Sequence, residues 1–548
     1  MPSAPDKSDR SDAQAGAGAE LWPREEARRL VERVASYDPS RPVIFESGFG
    51  PSGLPHLGTM CEIVRPAYVR RAFSELEPTR QTRLVVFIDD MDGLRKVPEN
   101  IPNREATAQY LGQPVSKIPD PFGECHASFA EHMVSLLREF LAPIEVEYEL
   151  MRSSEMYASG RFDDALKLIL AKHREIAAIV TPTLREENRA GWSPFMPICP
   201  KCGQVVERAV TAYHPERSTI EFICERSAGD SPGCGFSGEQ SVLGGMAKVQ
   251  WKVDWALRWY ALKIDYELYG KDLTDSARLS GQILRVLGGN PPLGFPFEMF
   301  LDEQGHKVSK SIGRGVTVEQ WTRYAPIEVL KMFLLQSPRR ARKLFLGSIP
   351  TYVDDFLDAI REYAEAPEEK RRNSPLEYVL QSTTPRRFNS ELSFGMMMNL
   401  VATLGSSDRD FIWKYLTRYD AAIAGDPETE AMGRALVECT LNFYRDFIEP
   451  AKKHYVPTDP EREQLKNLRE YLAANEGASA EEIEKKIYDL GRENYDKPGK
   501  IFPLMYRSIL GQERGPRLGA FIRLATPTRV IELLDATIAH RLNELGEY

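Results

Sequence analysis

The spacing of apolar positions changes several times along the chain. RPVIFES (41–47) and RLVVFID (83–89) are short, apolar, β-rich runs that predict strands. Between them, TMCEIVRPAYVRRAFSEL sets Met60, Ile63, Val64, Ala67, Tyr68 and Phe73 near helical spacing. Pro66 inside that segment predicts a kink or a late helix start. Strand, loop, helix and strand in this order form a βαβ unit, which implies a parallel sheet. Residues 124–190 are mostly helical in pattern, with a strand expected at EVEYELM (145–151). A cysteine-bearing stretch rich in Gly and Pro interrupts from about 192 to 245, and α/β character returns with KIDYELYGKD (263–272). After about 330 the strands fade into amphipathic helical segments and charged linkers such as REYAEAPEEKRRNSP (361–375). The expected fold class is α/β, a split parallel-sheet domain carrying an insertion and followed by an all-helical C-terminal third.

Length and charge narrow the picture only in part. At 548 residues the chain exceeds a single core, and about three or four domains are expected. Its 71 basic and 80 acidic side chains give a net charge of −9, which excludes a generally basic nucleic-acid coat but leaves a local basic face open. MPSAPDKSDRSDAQAGAGAE has no apolar core for a secretory signal and predicts a disordered tail over 1–20. No apolar run reaches membrane-spanning length. Seven cysteines, four of them within 36 positions, are too few for a disulfide scaffold and point to a cytoplasmic protein.

GFGPSGLPHLGT (48–59) follows the first strand and precedes the helix. In an open α/β sheet that is the ligand crevice, and the free N–H groups of a helix N-terminus suit phosphate. Gly53 and Gly58 would admit a nucleotide to the backbone, and His56 would reach a phosphoryl oxygen. A glycine-rich turn with an exposed histidine is the plainer alternative, and the run is neither a Walker loop nor GxGxxG. GHKVSKSIGRG (305–315) places Lys307 and Lys310 in a glycine-bounded loop, able to neutralise charge on a leaving pyrophosphate or simply to stand as a solvated basic turn.

Together the two runs are far more specific. His56-Leu57-Gly58-Thr59 resembles the HIGH signature of class I aminoacyl-tRNA synthetases, and Lys307-Val308-Ser309-Lys310-Ser311 resembles their KMSKS signature. The surrounding ESGFGPSGLPHLGT, DDMDGLRKVP, QWKVDW, YGKD and GQERGPRLGAFI resemble class I lysyl-tRNA synthetases in particular, from about residue 21 to the C-terminus. The resemblance implies a split Rossmann-like catalytic domain, with formation of lysyl-adenylate from L-lysine and ATP and then transfer of lysine to the terminal adenosine of tRNA(Lys). It implies catalytic roles for His56, Lys307 and Lys310, and an ATP site of Gly53, His56, Gly58, Thr59, Gly270, Asp272, Lys307, Ser309 and Lys310, with Mg²⁺ bound mainly through ATP.

Lysine needs an anion for its ammonium and an apolar wall for its stem. Glu46, Trp251, Asp254 and Phe297 are candidates, with Gly48 and Gly50 beside them, although an aromatic at such a place is more often core. Asp89, Asp90 and Asp92 at a strand end are read as a magnesium contact, an ammonium site or a solvated acidic turn. Relatives commonly carry GKDH where this chain has Leu273, and some carry threonine at Gly50 and tyrosine at Phe297. These departures keep a class I synthetase for another amino acid open as an alternative. The others are a nucleotidyltransferase that uses no tRNA and a non-catalytic RNA-binding paralogue, against which the intact His56, Lys307 and Lys310 argue.

ICPKCG (198–203) is a CxxC knuckle, and Cys224 and Cys234 follow a hairpin-like stretch. Cys199, Cys202, Cys224 and Cys234 are the expected ligands of a structural Zn²⁺, with His214 a weaker substitute and free thiols the alternative. Cys61, Cys125 and Cys439 read as ordinary packed thiols. The expected domains are 21–190 and 246–335 for the two catalytic halves, 191–245 for the zinc insertion and 336–548 for a helical anticodon-binding domain. SPRRARKLF (337–345) and TPRRF (384–388) could supply its phosphate contacts or stand as solvated faces, and a monomer is one assembly left open.

Overall fold

The computed structural model describes residues 20–208, 210–225, 231–306, 316–380, 385–451 and 455–539. Lys307, Ser309 and Lys310, the stretch expected as a tail up to Ala19, and Thr384 lie outside the described residues.

After helix α1 (Trp22–Val34), β1 (Val43–Phe49) enters the sheet buried along nearly its whole length, as a strand covered on both faces must be. It pairs in parallel with β2 (Thr82–Ile88), and β2 pairs in parallel with β3 (Glu149–Arg152). On its other side β1 receives a late strand, β7 (Tyr266–Glu267), again in parallel. The order β3-β2-β1-β7 makes β1 the point where the chain changes direction across the sheet. Such a switch point opens a crevice beyond the carboxyl ends of the strands.

Helix α2 (Leu57–Leu76) follows the glycine-rich loop and runs through Pro66, so the expected late start does not occur. Met60, Ile63, Val64, Val69 and Phe73 are fully buried around it. That packing outweighs the roughly 3 kcal/mol an interior proline costs. The strand expected at 145–151 begins late: Glu145, at φ +56°, closes the turn Ala142–Ile144 in the left-handed region, and only Glu149–Arg152 pair. Helix α3 (Phe129–Leu141) precedes it, capped by the Ser128 side chain.

The insertion is a three-stranded antiparallel sheet of β4 (Val210–His214), β5 (Thr219–Ile223) and β6 (Ser237–Ser241). Helix α4 (Trp251–Leu262) returns the chain to the sheet, ending at Lys263 with φ +57°. After β7, β8 (Tyr269–Gly270) pairs in parallel with β9 (Pro296–Phe297).

The described chain divides into two compact units. One runs to Val318 and takes back Leu334–Leu344; the other holds Glu319–Phe333 and everything from Phe345 onward. The boundary expected near 335 falls in this interleaved stretch. The second unit contains no strand among its described residues and includes the helices Ile349–Glu365, Phe394–Leu404, Pro427–Phe443, Asp459–Ala474 and Ala480–Asn494. Its N-caps are chemically explicit: Ser393, Asp408, Asp426 and Ser479 accept from backbone N–H groups of the first helical turn. Among the described residues no helix is long and apolar enough to cross a membrane.

Candidate active site

The glycine-rich loop leaves β1 at the switch point and delivers His56 to the N-cap of α2, where its Nδ1 accepts from the Thr59 N–H at 3.3 Å. A Cβ at Gly58 would lie 2.6 Å from His56 Cε1, so this glycine makes room for the imidazole of its own chain. Gly50 and Gly53 have open space instead, and none of the three has a positive φ. Thr59 is buried beneath the loop.

Beside the loop, the carboxyl edge of the sheet gathers buried charge. Glu46 on β1 and Glu267 on β7 are register partners, and Asp89 follows β2 with its N–H donated to Phe49 O at 3.0 Å. Arg258 on α4 enters this group. Its Nε stands 3.4 Å from Glu46 Oε1 and 3.7 Å from Asp254 Oδ2, and its Nη1 lies 3.2 and 3.3 Å from the two Asp89 oxygens. The guanidinium also lies over the rings of Phe87 (4.6 Å) and Trp251 (5.4 Å). Glu267 accepts from the indole N–H groups of Trp255 and Trp259 at 2.9 and 2.5 Å, and Asp254 accepts from the Tyr157 hydroxyl at 2.6 Å.

Glu46 differs from its neighbours. It is wholly buried, and neither of its carboxylate oxygens receives a hydrogen bond from the described residues. Burial, and then the charge of Glu267, raise its pKa well above the ordinary carboxylate range. Asp89 is pushed up to about 7 by burial against the opposing pull of Arg258. Burial works against the Arg258 charge, but Asp89, Glu46 and Asp254 outweigh it and hold the guanidinium ionised. Arg258 therefore faces Glu46, Asp89, Asp254 and Glu267, and the buried Lys248, paired with Asp92, also acts on Asp89 and Asp254. Carboxylates still outnumber cations, and a buried excess of carboxylate must take up protons or receive a further cation.

The expected residues thus occupy different settings. Glu46, Asp254, Trp251 and Asp89 come together around Arg258, with Gly48 beside it: a Cβ there would sit 3.9 Å from Arg258 Nη1. Trp251 is 37% exposed and stacks on Trp255, forming an outer wall of the group. Phe297 is buried with its ring beneath the Arg65 guanidinium at 5.0 Å. Asp90 is held by the Ser154 N–H and hydroxyl, and Asp92 pairs with Lys248. Gly270 ends β8, and a Cβ on it would meet Asp272 Oδ1 at 2.6 Å. Leu273 packs against the large apolar cluster of this unit. Arg258 itself escaped the sequence reading, although an arginine among WKVDWALRW, four residues after Asp254, is a charge with no polar helix face to occupy.

Cys199, Cys202, Cys224 and Cys234 converge, with Cys199–Cys234 and Cys202–Cys224 sulfur separations of 3.6 and 3.7 Å. Four thiols in mutual contact are a donor set able to hold a metal ion. His214 instead faces Glu221 at 2.9 Å. Cys61 and Cys439 are buried as expected of packed thiols, but Cys125 is exposed and lies among Asp120, His126 and His132. The basic runs are partly committed within the chain: Arg339 lies 4.4 Å over Phe295, Arg342 is buried, and Arg386 donates to the Tyr363 hydroxyl at 3.2 Å.

A family model described as tRNA synthetases class I (K) matches residues 20–382. A lysine–tRNA ligase of Rickettsia bellii (strain OSU 85-389) is 38% identical over 521 residues, covering 94% of this chain and 98% of the relative. One from Roseobacter denitrificans (strain ATCC 33942 / OCh 114) is 38% identical over 529 residues, 96% of this chain and 97% of the relative. Among solved structures, a glutamate tRNA ligase from Elizabethkingia meningosepticum aligns at 13% identity and a TM-score of 0.37, covering 91% of this chain and 99% of the other.

Proposed function

The chain belongs to the class I tRNA synthetase (K) family, and on that premise we propose that it is a lysine–tRNA ligase whose ammonium pocket is the Arg258-centred carboxylate group. It joins L-lysine to ATP, releases pyrophosphate, and passes the lysyl group from the adenylate to the 3′-terminal adenosine of tRNA(Lys) in the cytoplasm. The observation that carries the pocket is Glu46, a wholly buried carboxylate that no described residue donates to. An ammonium entering past Trp251 supplies the missing donors and reduces the excess of negative charge around Arg258. The lysine stem then lies along the indole.

Adenylation is attack of the lysine carboxylate on the α-phosphorus with pyrophosphate leaving in line, so the protein acts by positioning and by stabilising charge. His56 and the N–H groups opening α2 face the phosphates, the glycine loop leaves the backbone accessible, and Gly270 and Asp272 serve the ribose side. Lys307 and Lys310 supply positive charge to the pentavalent phosphorus and departing pyrophosphate, with Ser309 between them. Mg²⁺ bound through ATP would supply charge neutralisation at the phosphates. The four cysteines suit Zn²⁺ in a structural role, because four protein ligands leave no open position. The helical unit is assigned to the anticodon end of the tRNA.

Amino-acid-dependent ATP–pyrophosphate exchange, run with each proteinogenic amino acid in turn, tests this reading. Exchange with lysine alone is expected. Exchange with a different amino acid would move the specificity, and none with or without tRNA would remove the enzyme assignment.

A further inference from the structure

Arg65 lies on α2, the helix capped by His56, and is only 2% exposed. Its contacts are unusual for a buried charge. Nε donates to the Leu334 carbonyl at 3.3 Å, and Nη1 has no hydrogen-bond partner among the described residues. The flat head lies over the rings of Phe297 and Phe300, 5.0 and 5.6 Å from their centres. Among the described residues no carboxylate acts on it, and its cationic neighbour is another arginine, Arg342. Burial above all, with the like charge of Arg342 acting in the same direction, pulls its pKa below the ordinary arginine value.

A side chain that only filled this space would do better uncharged. Methionine would pack against both phenylalanines, whereas a buried cation without an anion opposes folding. What the guanidinium adds is a junction between elements. Phe297 and Phe300 belong to the run 296–301, in which Phe297 is the register partner of Gly270, and Phe300 and Leu301 pair in parallel with Arg342 and Lys343. The run is also fastened by the Glu298 N–H to Pro338 O at 2.8 Å and the Leu344 N–H to Leu301 O at 2.7 Å. Leu334 lies in the last turn of the helix Ile327–Leu335, where carbonyls lack helical partners and the dipole favours a cation. The Trp22 indole N–H serves the next carbonyl, Leu335 O, at 2.7 Å. A planar fork can set its edge on a carbonyl and its face on two rings at once, which an ammonium cannot.

We propose that Arg65 is a positioning residue for the nucleotide, holding the run that pairs with Gly270 in register against the helix that His56 caps. The inference rests on the assignment of ATP to these residues, and adds to it a side chain that touches no substrate. In a reaction that works by positioning, a shift of about 1 Å between the two elements is enough to lower the rate by up to about a hundredfold.

Isothermal titration calorimetry on the full chain, with ATP and with L-lysine separately, tests it. Arg65→Met keeps the length and bulk of the side chain and removes the charge and the fork. The variant, folded by circular dichroism, should bind ATP about tenfold more weakly while its lysine affinity stays within about twofold of the parent. An unchanged ATP affinity would overturn the proposal. A matched loss for both ligands would also overturn it, because Arg65 would then support the fold in general. Should that variant not fold, Phe300→Leu, which takes one ring from beneath the guanidinium, is expected to show the same split, and unchanged ATP binding there would overturn the proposal. Lysine-dependent exchange by the parent tests the enzyme reading separately: a parent that binds both ligands without exchange removes that reading and leaves the Arg65 comparison standing.

Discussion

Replacing Glu46 with Gln separates a ligand-binding carboxylate from a structural partner of Arg258. The change keeps the shape and removes only the capacity to become negative. In the free protein that capacity is a liability: Glu46 is wholly buried, receives no hydrogen bond from the described residues, and has its pKa raised well above the ordinary range. A carboxyl with a raised folded-state pKa destabilises the fold as pH rises from its unfolded value toward its folded one. E46Q should therefore melt at the parent temperature or above it near neutral pH. With lysine bound, the sign reverses, because the ammonium loses a hydrogen bond to a charged group. Such a bond contributes about 1.5–3 kcal/mol, or roughly a 10- to 150-fold rise in the lysine KM at about 1.4 kcal/mol per decade. The assay is lysine-dependent ATP–pyrophosphate exchange beside a thermal melt, with the KM for ATP expected to stay within about twofold of the parent. A variant that melts several degrees lower while its lysine KM is unchanged would refute the reasoning, and Glu46 would be a counter-ion of Arg258 alone.

Four further outcomes are expected. Asp89 titrates at about 7, so lowering the pH from 8 to 6 protonates it, weakens the hold on an ammonium and raises the lysine KM by up to about tenfold; a flat or falling KM would exclude it from the pocket. Gly58→Ala, whose Cβ would lie 2.6 Å from His56 Cε1, should displace the imidazole and lower kcat for exchange by about a hundredfold, whereas Gly53→Ala meets nothing within 4 Å and should not disturb the loop. Lys310→Ala should lower kcat for exchange far more than it changes the lysine KM, and an equal loss in both would mean that the loop does not act selectively in the transition state. Cys202→Ser should reduce the zinc content by about one ion per chain, and an unchanged content would leave the four cysteines as thiols.

The first βαβ unit was legible because its residues carry the period of their elements: all six apolar positions read between Met60 and Phe73 are buried in α2, and β1 and β2 pair in parallel. The late helix start read at Pro66 does not occur, because propensity is local and the packing around α2 is not. The pocket was only half legible. Glu46 and Asp254 could be chosen by residue type, but the pairing of Glu46 with Glu267 joins strands far apart in sequence, and no periodicity encodes it. Arg258 was passed over because arginine is ordinarily read as surface, yet it is 1% exposed here. The grouping of Cys125 with Asp120, His126 and His132 was missed for a similar reason: Cys125 was weighed alone, while its neighbours with metal-ligand side chains lie within one short segment.

The two halves of the proposed reaction rest on different physics in this chain. Phosphate handling depends on backbone geometry: a helix N-terminus, an N-cap histidine and a glycine whose missing Cβ leaves room for that histidine. Amino-acid choice depends on buried charge. Leu273 packs against the apolar cluster, so that position adds no polar group to the pocket. Selection for an ammonium must then come from the carboxylates that outnumber Arg258. A neutral side chain of similar length would leave the Glu46 oxygens without donors, and unmet buried groups are what a polar pocket uses to reject a near-match. An arginine substrate would bring its charge on a broader planar head into a space where Arg258 already lies over Phe87 and Trp251. The resident guanidinium thus gives the pocket its size limit as well as part of its charge balance, and lysine, with a compact cation on a thin stem, meets both conditions.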